Sequence, residues 1–396
     1  MKYNFDTFTN RRNLGAAKYE RMLEVNPELP EDIIPLSIAD MEFNTAPEIV
    51  EGLKNYLEDS VLGYPEFSES YIDAVKKWFA RRYDWEIQKN WIVPTQGVVP
   101  AIYTSVDAFT EPGDGVILFP PVYGPFFTSI IHNGRRIIRS SLVYDDGFKI
   151  DFEDFEKKAK DPSNKLLLFC NPHNPVGRVW SREELEEVAR ICLENDIIIF
   201  SDEIHADIIM PGNDFITFGN LNEEVSENLV VATAPSKTFN IAGLYNSNII
   251  IKNEKLRDRF SQRLEERHQK GSNVLGLKAC EIAYNEGEPW LEELISVIDE
   301  NRKFVVDFVE REIEDVVAYD IEGTYLIWLD FRRLKLSDPR LDELLEREAL
   351  LFLTDGKFFG DEGKGFKRIN IACPKKVLED ALMRLKNAVD RLKEER

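Results

Sequence analysis

The stretch VVATAPSKTFNIAG, residues 230–243, places a lysine soon after a short apolar run. Residues 229–232 are continuously apolar and predict a buried strand, which Pro235 ends. Lys237 follows among small and hydroxyl-bearing residues, a poor setting for a solvated surface lysine. Because lysine loses its charge readily when it is desolvated, this position suits covalent chemistry through a Schiff base. The alternative is an ordinary loop lysine whose amine reaches water along the surface.

The same pattern, an apolar strand followed by residues that can carry chemistry, recurs through the middle of the chain. The apolar runs are residues 116–119, 166–170, 197–200 and 229–232, and they alternate with predicted helices. Such strands indicate a mainly parallel sheet that is covered on both faces. Ligands of these sheets bind at the carboxyl ends of the strands. The side chains that follow these ends are those of Tyr123, Asn174, Asp202, His205 and Lys237.

A further strand-to-helix turn is predicted in WIVPTQGVVPA, residues 91–101. Pro100 fits the first helical turn, where its missing N–H costs nothing. The glycine of the turn, Gly97, lets backbone N–H groups approach an anion, and a helix N-terminus favours phosphate. An ordinary turn with no ligand is the alternative.

The C-terminal third predicts a second, smaller domain. Its elements are a long helix from Gly287, a strand at 323–330, a helix near 339–347, short strands near Leu351 and at 367–371, and a final helix from about Lys375. The strand at 367–371 carries Arg368, and a lone arginine on a strand more often belongs to a surface ion pair. The pattern divides the chain into an N-terminal segment that packs with the small domain (1–45), a large domain (46–287) and the small domain (288–396).

Composition excludes several classes of partner. The chain of 396 residues has 50 basic and 72 acidic side chains and a net charge of −22. Nucleic acid and anionic membranes need a basic face, so neither is expected as a partner. The N-terminus lacks the apolar core of a signal peptide, and no apolar run has the length of a membrane span. The four cysteines are scattered without a C-x-x-C motif, so a reduced, cytoplasmic protein is expected.

The order of the motifs is more specific than any one of them. They are Gly63-Tyr64, Gly97-Val98-Val99, Tyr123, NPHNPVG at 171–177, SDEIH at 201–205, SKTFN at 236–240 and Arg368-Ile369-Asn370. This order resembles that of a fold-type I pyridoxal-phosphate enzyme of the aminotransferase class I/II superfamily. The likeness is strongest to its MalY/PatB-type cystathionine β-lyase (C–S lyase) branch. It implies an α/β large domain with a mostly parallel, seven-stranded sheet flanked by helices, and a small α+β C-terminal domain.

The resemblance implies pyridoxal 5′-phosphate as the cofactor and assigns its contacts. Lys237 would form the Schiff base and later remove the substrate Cα proton. Asp202 would keep the pyridine nitrogen protonated, so that the ring withdraws electrons. Tyr123 would stack on the ring. The other contacts are Asn174 and His205 to the 3′-oxygen, and Gly97, Val98, Val99 and Ser236 to the phosphate. Outside the C–S lyase branch, tyrosine is usual at the position of His205.

The resemblance also implies how a small amino-acid substrate binds. The guanidinium of Arg368 would hold the substrate α-carboxylate by a two-pronged contact, and the backbone near Ala39 would assist. Tyr64 would reach the phosphate from the neighbouring subunit, which implies a homodimer with shared sites.

Two positions depart from the wider superfamily. Tyr245 stands eight residues after Lys237, where typical transaminases have a phosphate-binding arginine, and Ala234 stands where a hydroxyl is usual. The missing arginine matches the C–S lyase branch. It favours α,β-elimination of L-cystathionine or a similar cysteine thioether to a thiol, pyruvate and ammonia.

The sequence allows three alternatives to a lyase. An aminotransferase of an amino acid uses the same residues and stays open, as does a non-catalytic protein that kept the fold. Asp202-Glu203-x-His205 allows a metal site, but no further His or Cys clusters with it, and no metal is expected.

Overall fold

The computed structural model describes residues 2–395. The α-helices are α1 Ala17–Val25, α2 Pro47–Asp59, α3 Glu69–Tyr83, α4 Val98–Phe109, α5 Gly124–His132, α6 Phe152–Ala159, α7 Arg182–Glu194, α8 Glu223–Glu227, α9 Pro235–Thr238, α10 Glu254–Glu266, α11 Val274–Glu286, α12 Glu288–Glu312, α13 Asp338–Glu343 and α14 Lys375–Glu394. The strands are β1 Ile92–Thr95, β2 Gly115–Leu118, β3 Arg136–Arg139, β4 Val143–Tyr144, β5 Phe148–Lys149, β6 Asn164–Cys170, β7 Ile198–Asp202, β8 Leu229–Thr233, β9 Ser247–Ile250, β10 Val317–Tyr319, β11 Leu326–Asp330, β12 Thr354–Asp355 and β13 Phe366–Asn370.

The larger sheet has, over the described residues, seven strands in the order β1-β9-β8-β7-β6-β2-β3. Within this order, β8, β7, β6 and β2 are each parallel to the next strand, as far as β3. Strand β9 runs antiparallel to both of its neighbours, β8 and β1. The predicted mainly parallel sheet is therefore confirmed. The reversal of β9 was not predicted, because an apolar run has the same pattern in either direction.

Both faces of this sheet are covered, and side-chain alternation divides the core in two. On β6, Leu166 and Leu168 pack with residues of α4 and α10, while Leu167 and Phe169 pack with residues of α3 and α7. This two-sided burial explains why the strands are continuously apolar rather than alternating. A capping box between Ser181 and Glu184, a pattern visible in the sequence, begins α7.

A second, antiparallel sheet has the order β10-β11-β13-β12. On it, Trp328 of β11 stacks on Phe366 of β13 with ring centroids 5.1 Å apart. Near the N-terminus, Tyr19 and Met22 of α1 pack with Phe352. We propose domain boundaries after residues 45 and 287; the separate second sheet and this N-terminal packing support them.

Three segments differ in detail from the sequence pattern. The apolar residues of segment 33–41 favour an extended strand, but the segment forms none; Ile38 within it has a left-handed backbone, with φ 52°. The helix predicted near 339–347 changes from α-helical to π-helical at Leu344–Glu348. The short strand predicted near Leu351 lies at Thr354–Asp355. Among residues 2–395, no helix has both the length and the apolar character needed to cross a membrane.

Candidate active site

A cavity of about 860 Å³ lies at the carboxyl ends of the parallel strands. Eleven of the twelve side chains or backbone groups predicted from the sequence line it: Ala39, Gly97, Val98, Val99, Tyr123, Asn174, Asp202, His205, Ser236, Lys237 and Arg368. Tyr64, the twelfth, does not line it. Residues as distant in the sequence as Ala39 and Arg368 meet there, and Arg368 is brought to the cavity by the middle of β13.

Lys237 lies in the short helix α9, directly after β8. Its amine donates a hydrogen bond to the carbonyl oxygen of Ala39, with Nζ and O 2.7 Å apart. Removal from bulk water lowers the pKa of Lys237 to about 8, and the positive charge of Arg368 acts in the same direction. A surface lysine keeps its ordinary pKa, so the geometry favours a reactive amine over an ordinary loop lysine.

Asp202 ends β7 and is buried beneath the cavity. Its Oδ1 accepts a hydrogen bond from the amide of Ile204 at 3.2 Å, and burial raises the pKa of Asp202 to about 7. His205 follows in the next turn and is also buried. Burial, with the charges of Lys237 and Arg368, holds the pKa of His205 well below its usual range, so the ring is neutral. Its Nδ1 has no hydrogen-bond partner among the described residues.

Arg368 lies on β13 and is 4% exposed. Its Nη1 donates to Oδ1 of Asn174 at 2.7 Å, and the guanidinium lies 4.8 Å from the ring centroid of Phe359. No carboxylate within residues 2–395 forms an ion pair with it, and its Nε has no partner. Burial lowers the pKa of Arg368 only to about 10, so it stays positive at neutral pH. The structure therefore contradicts a surface ion pair and leaves a cation suited to a ligand's carboxylate.

The turn at Gly97 has the backbone geometry that the sequence predicts for an anion site. Its φ of 126° is strained for any residue with a side chain. Helix α4 begins at the next residue, so the amides of Val98 and Val99 lack partners within the helix. With Ser236 on the same cavity, these groups can receive a phosphate.

Tyr123 is the N-cap residue of α5 and lines the cavity. Its ring is half-buried and contacts the ring of Phe358 edge-to-face at 6.1 Å. Burial and the charge of Asp202 raise the pKa of Tyr123 to about 12, so the hydroxyl is neutral over the physiological range. The ring is available as a flat apolar surface for an aromatic ligand.

Two further polar residues support the Ala39 backbone at this site; Tyr325 was not predicted, and Asn370 stands in a predicted motif without an assigned role. The hydroxyl of Tyr325 donates to the Ala39 carbonyl at 2.9 Å, beside the amine of Lys237. Asn370 donates through Nδ2 to the carbonyls of Ile38 and Asp40, at 2.8 and 2.7 Å. Asn370 lies two residues after Arg368 on the same strand, and that spacing places both side chains on one face. The alternation of side chains along the strand was therefore the sequence signal that could have assigned Asn370 to this site.

Tyr64 is fully exposed and belongs to an apolar surface segment with Val61 and Leu62. The assignment of Tyr64 to a neighbouring subunit's site stays a prediction. The alternative metal site at 202–205 gains no support, since residues 2–395 contain no group of three or more potential ligands.

Comparisons with known proteins show the family to which the chain belongs. The model of the aminotransferase class I and II family matches residues 31–385, and the chain belongs to that family. Within it, the chain is 39% identical to cystathionine β-lyase PatB of Bacillus subtilis, over 98% of this chain and 100% of that protein.

Two solved structures show the same likeness. Cystalysin of Treponema denticola, whose crystal structure contains pyridoxal 5′-phosphate, is 48% identical with a TM-score of 0.97, over 99% of this chain and 100% of that one. The pyridoxal-phosphate-bound C–S lyase of Staphylococcus hominis is 31% identical with a TM-score of 0.90, over 98% of each chain. The resemblance stated from the motifs is confirmed.

Proposed function

We propose that this protein is a pyridoxal-phosphate-dependent C–S β-lyase that acts on L-cystathionine or a similar cysteine thioether. The observation that carries the proposal is full-length similarity to a cystathionine β-lyase, 39% identical over 98% of the chain. The cavity supports it, because a reactive amine, a buried carboxyl and a carboxylate-binding arginine face one space.

The donor set of the cavity fits pyridoxal phosphate. Asp202 is the candidate to pair with the pyridine nitrogen, and the half-buried ring of Tyr123 is the candidate to stack on the cofactor ring; both residues line the cavity. Asn174 and the neutral His205 are the candidates for the 3′-oxygen; the orphaned Nδ1 of His205 is a buried polar atom that a ligand or water can satisfy. For the phosphate, the candidates are Ser236 and the amides of Gly97, Val98 and Val99.

Lys237 is the proposed covalent attachment point and the proton-transferring group. When bound, the cofactor supplies an electron sink that stabilises negative charge at the substrate Cα. With a pKa of about 8, the amine of Lys237 is partly neutral at physiological pH and can accept the Cα proton. The carbonyl of Ala39 accepts a hydrogen bond from Nζ at 2.7 Å and so holds the amine within the cavity.

Arg368 is the proposed binding group for the substrate α-carboxylate. Its hydrogen bond to Asn174 fixes the plane of the guanidinium, so the carboxylate is oriented relative to the amine of Lys237. Removal of the Cα proton is then followed by breakage of the Cβ–S bond, and the sulfur leaves as a thiol. One water completes the balance, with pyruvate and ammonia as the other products.

The exposed position of Tyr64 supports a homodimer with shared sites. Tyr64 does not line its own cavity, and it lies with Val61 and Leu62 on an apolar segment that a second subunit would cover. In this proposal, Tyr64 reaches the phosphate of the partner's site.

The test is to mix the cofactor-loaded protein with L-cystathionine, without a keto acid, and to follow thiol and pyruvate. Catalytic release of both is expected from a lyase. Bleaching of the cofactor that reverses only when a keto acid is added would instead identify an aminotransferase. The Lys237→Ala variant is the control; it should keep the fold and lose turnover, and near-normal turnover would contradict the role of Lys237.

A further inference from the structure

Four charged side chains form a compact group between α1 and the segment before α2; we name Arg11, Lys18, Asp40 and Glu42 the N-terminal ion cluster. The ammonium of Lys18 is 2.8 Å from Oε1 of Glu42 and 3.0 Å from Oδ1 of Asp40. Arg11 contacts the same two carboxylates at 2.6 and 2.8 Å. The side chains of Lys18 and Glu42 are each only 1% exposed. Two positive and two negative charges make the cluster neutral.

The cluster is tied to the backbone beside Lys237. The Lys18 ammonium also donates a hydrogen bond to the backbone carbonyl of Asp40, at 2.8 Å. The side-chain amide of Asn370 donates to that same carbonyl and also to the carbonyl of Ile38. The carbonyl between these two is that of Ala39, which accepts the amine of Lys237. The left-handed φ of 52° at Ile38 needs such support, because a β-branched residue adopts it at a cost.

We propose that Lys18 and Asp40 are positioning residues of the active site, which fix the Ala39 carbonyl against the amine of Lys237 and set the charge around it. This rests on the proposed function only for the role of Lys237. Neither residue touches the amine directly. Each acts through the position of the Ala39 carbonyl and through the electrostatic effect of its own charge on the amine. The N-terminal segment is then part of the catalytic apparatus.

Electrostatics gives the two residues opposite effects. The charge of Asp40 raises the pKa of Lys237, and the charge of Lys18 lowers it. The titratable or charged groups of the proposed site on other elements are Tyr123, Asp202, His205 and Arg368, with Tyr325 on the Ala39 carbonyl, and none of them is substituted in the cluster variants. Loss of Lys18 leaves the cluster with a net charge of −1, and loss of the Asp40 charge leaves +1.

The experiment measures the titration of Lys237 in full-length, cofactor-free protein. Traces of acetic anhydride label neutral amines over a pH series, and mass spectrometry quantifies the Lys237 peptide. The wild-type midpoint is expected near pH 8. Lys18→Met should move the midpoint up by about one pH unit, and Asp40→Asn should move it down by a similar amount. A purely structural role predicts lost stability without opposite movements, so movement in one direction, or no movement, would overturn the proposal.

Two further variants keep the test decisive if Lys18→Met folds poorly. The double variant Lys18→Met/Glu42→Gln is neutral again, and its midpoint should return towards that of the wild type; a persistent upward displacement would contradict the charge argument. Arg302→Met removes another partly buried cation, which pairs with Asp299 at 2.8 Å and with Asp320 at 2.6 Å and does not line the cavity. It should lower the melting temperature and leave the midpoint unchanged. Labelling needs no substrate, so its result is independent of the thiol and pyruvate assay of the proposed function.

Discussion

The guanidinium of Arg368 and the side-chain amide of Asn174 share a hydrogen bond of 2.7 Å, although 194 residues separate them. The bond joins β13 of the second sheet to the loop after β6 of the larger sheet. Asn174 therefore contacts both the proposed carboxylate site and the proposed cofactor site. Any displacement of Arg368 changes the orientation of the substrate relative to the cofactor.

Arg368→Lys should lower kcat/KM for L-cystathionine by about 10- to 100-fold. Lysine keeps the charge but cannot make a planar, two-pronged contact with the carboxylate and also bind Asn174. Steady-state kinetics of pyruvate release measure the effect. The visible absorption of the bound cofactor serves as the control and should be unchanged. An unaltered kcat/KM would place the carboxylate elsewhere.

Asp202→Asn should lower kcat by about 100-fold or more while the protein still folds. An amide cannot balance a protonated pyridine nitrogen, so the electron sink is weakened at the transition state. Stopped-flow measurement of Cα-deuterium exchange isolates the affected step. Normal exchange in this variant would show that Asp202 does not face the ring.

The same variant predicts a pH-dependent change in stability. The folded-state pKa of Asp202, about 7, lies above its unfolded value, so its favourable contribution is complete below about pH 4 and is lost as pH rises through 7. Without cofactor, Asp202→Asn should therefore melt at the wild-type temperature near pH 4 and at a higher temperature at pH 8. Thermal unfolding followed by circular dichroism measures both. A lower melting temperature at pH 8 would contradict the raised pKa.

The rate at which the protein captures the cofactor should also depend on pH. Here the group that titrates is the amine of Lys237, which is neutral above its pKa. Only the neutral amine of Lys237 attacks the aldehyde, and its pKa is about 8. The rate of recombination between cofactor-free protein and pyridoxal phosphate should rise through pH 8 and level off above it. Absorbance in the visible range follows the rate, and borohydride reduction followed by peptide mapping identifies the lysine. A midpoint near 10.5 would mean an ordinary solvated lysine.

Mixed dimers test whether Tyr64 serves the partner's site. Tyr64→Ala and Lys237→Ala subunits are each expected to be nearly inactive alone. In a hybrid, one of the two sites combines an intact Lys237 with an intact Tyr64 from the other subunit, so random mixing should restore about a quarter of wild-type activity. The control is each variant carried separately through the same dissociation and mixing. No recovery would place Tyr64 in its own subunit's site, and an active Tyr64→Ala dimer would remove Tyr64 from catalysis.

The site residues predicted from the sequence carried one of two signals. Some follow an apolar strand of the parallel sheet, and others lie in a recognisable motif. Lys237 and Asp202 were found because the ends of parallel strands converge, whatever the loops do. Tyr325 was missed because it reads as one more apolar strand residue before a run that is fully buried.

The segment around Ala39 could not be placed from sequence in the same way. Its contacts reach Lys237, 198 residues away, and Asn370, 330 residues from Asp40. It has no periodic pattern, and a left-handed isoleucine carries no sequence signal. Nor does periodicity indicate that Lys18 is buried, because a lysine at that position of an amphipathic helix reads as solvent-facing.

Part of the cavity lining is separate from the groups that are proposed to hold the cofactor. Seven residues of the lining carry none of the proposed cofactor contacts: Ala17, Arg21, Met22 and Val25 of α1, with Phe352, Leu353 and Phe358. Selection, natural or in the laboratory, can therefore retune which leaving group fits without rebuilding the machinery that moves the proton. Libraries confined to these seven positions are the economical route to lyases for new thioethers.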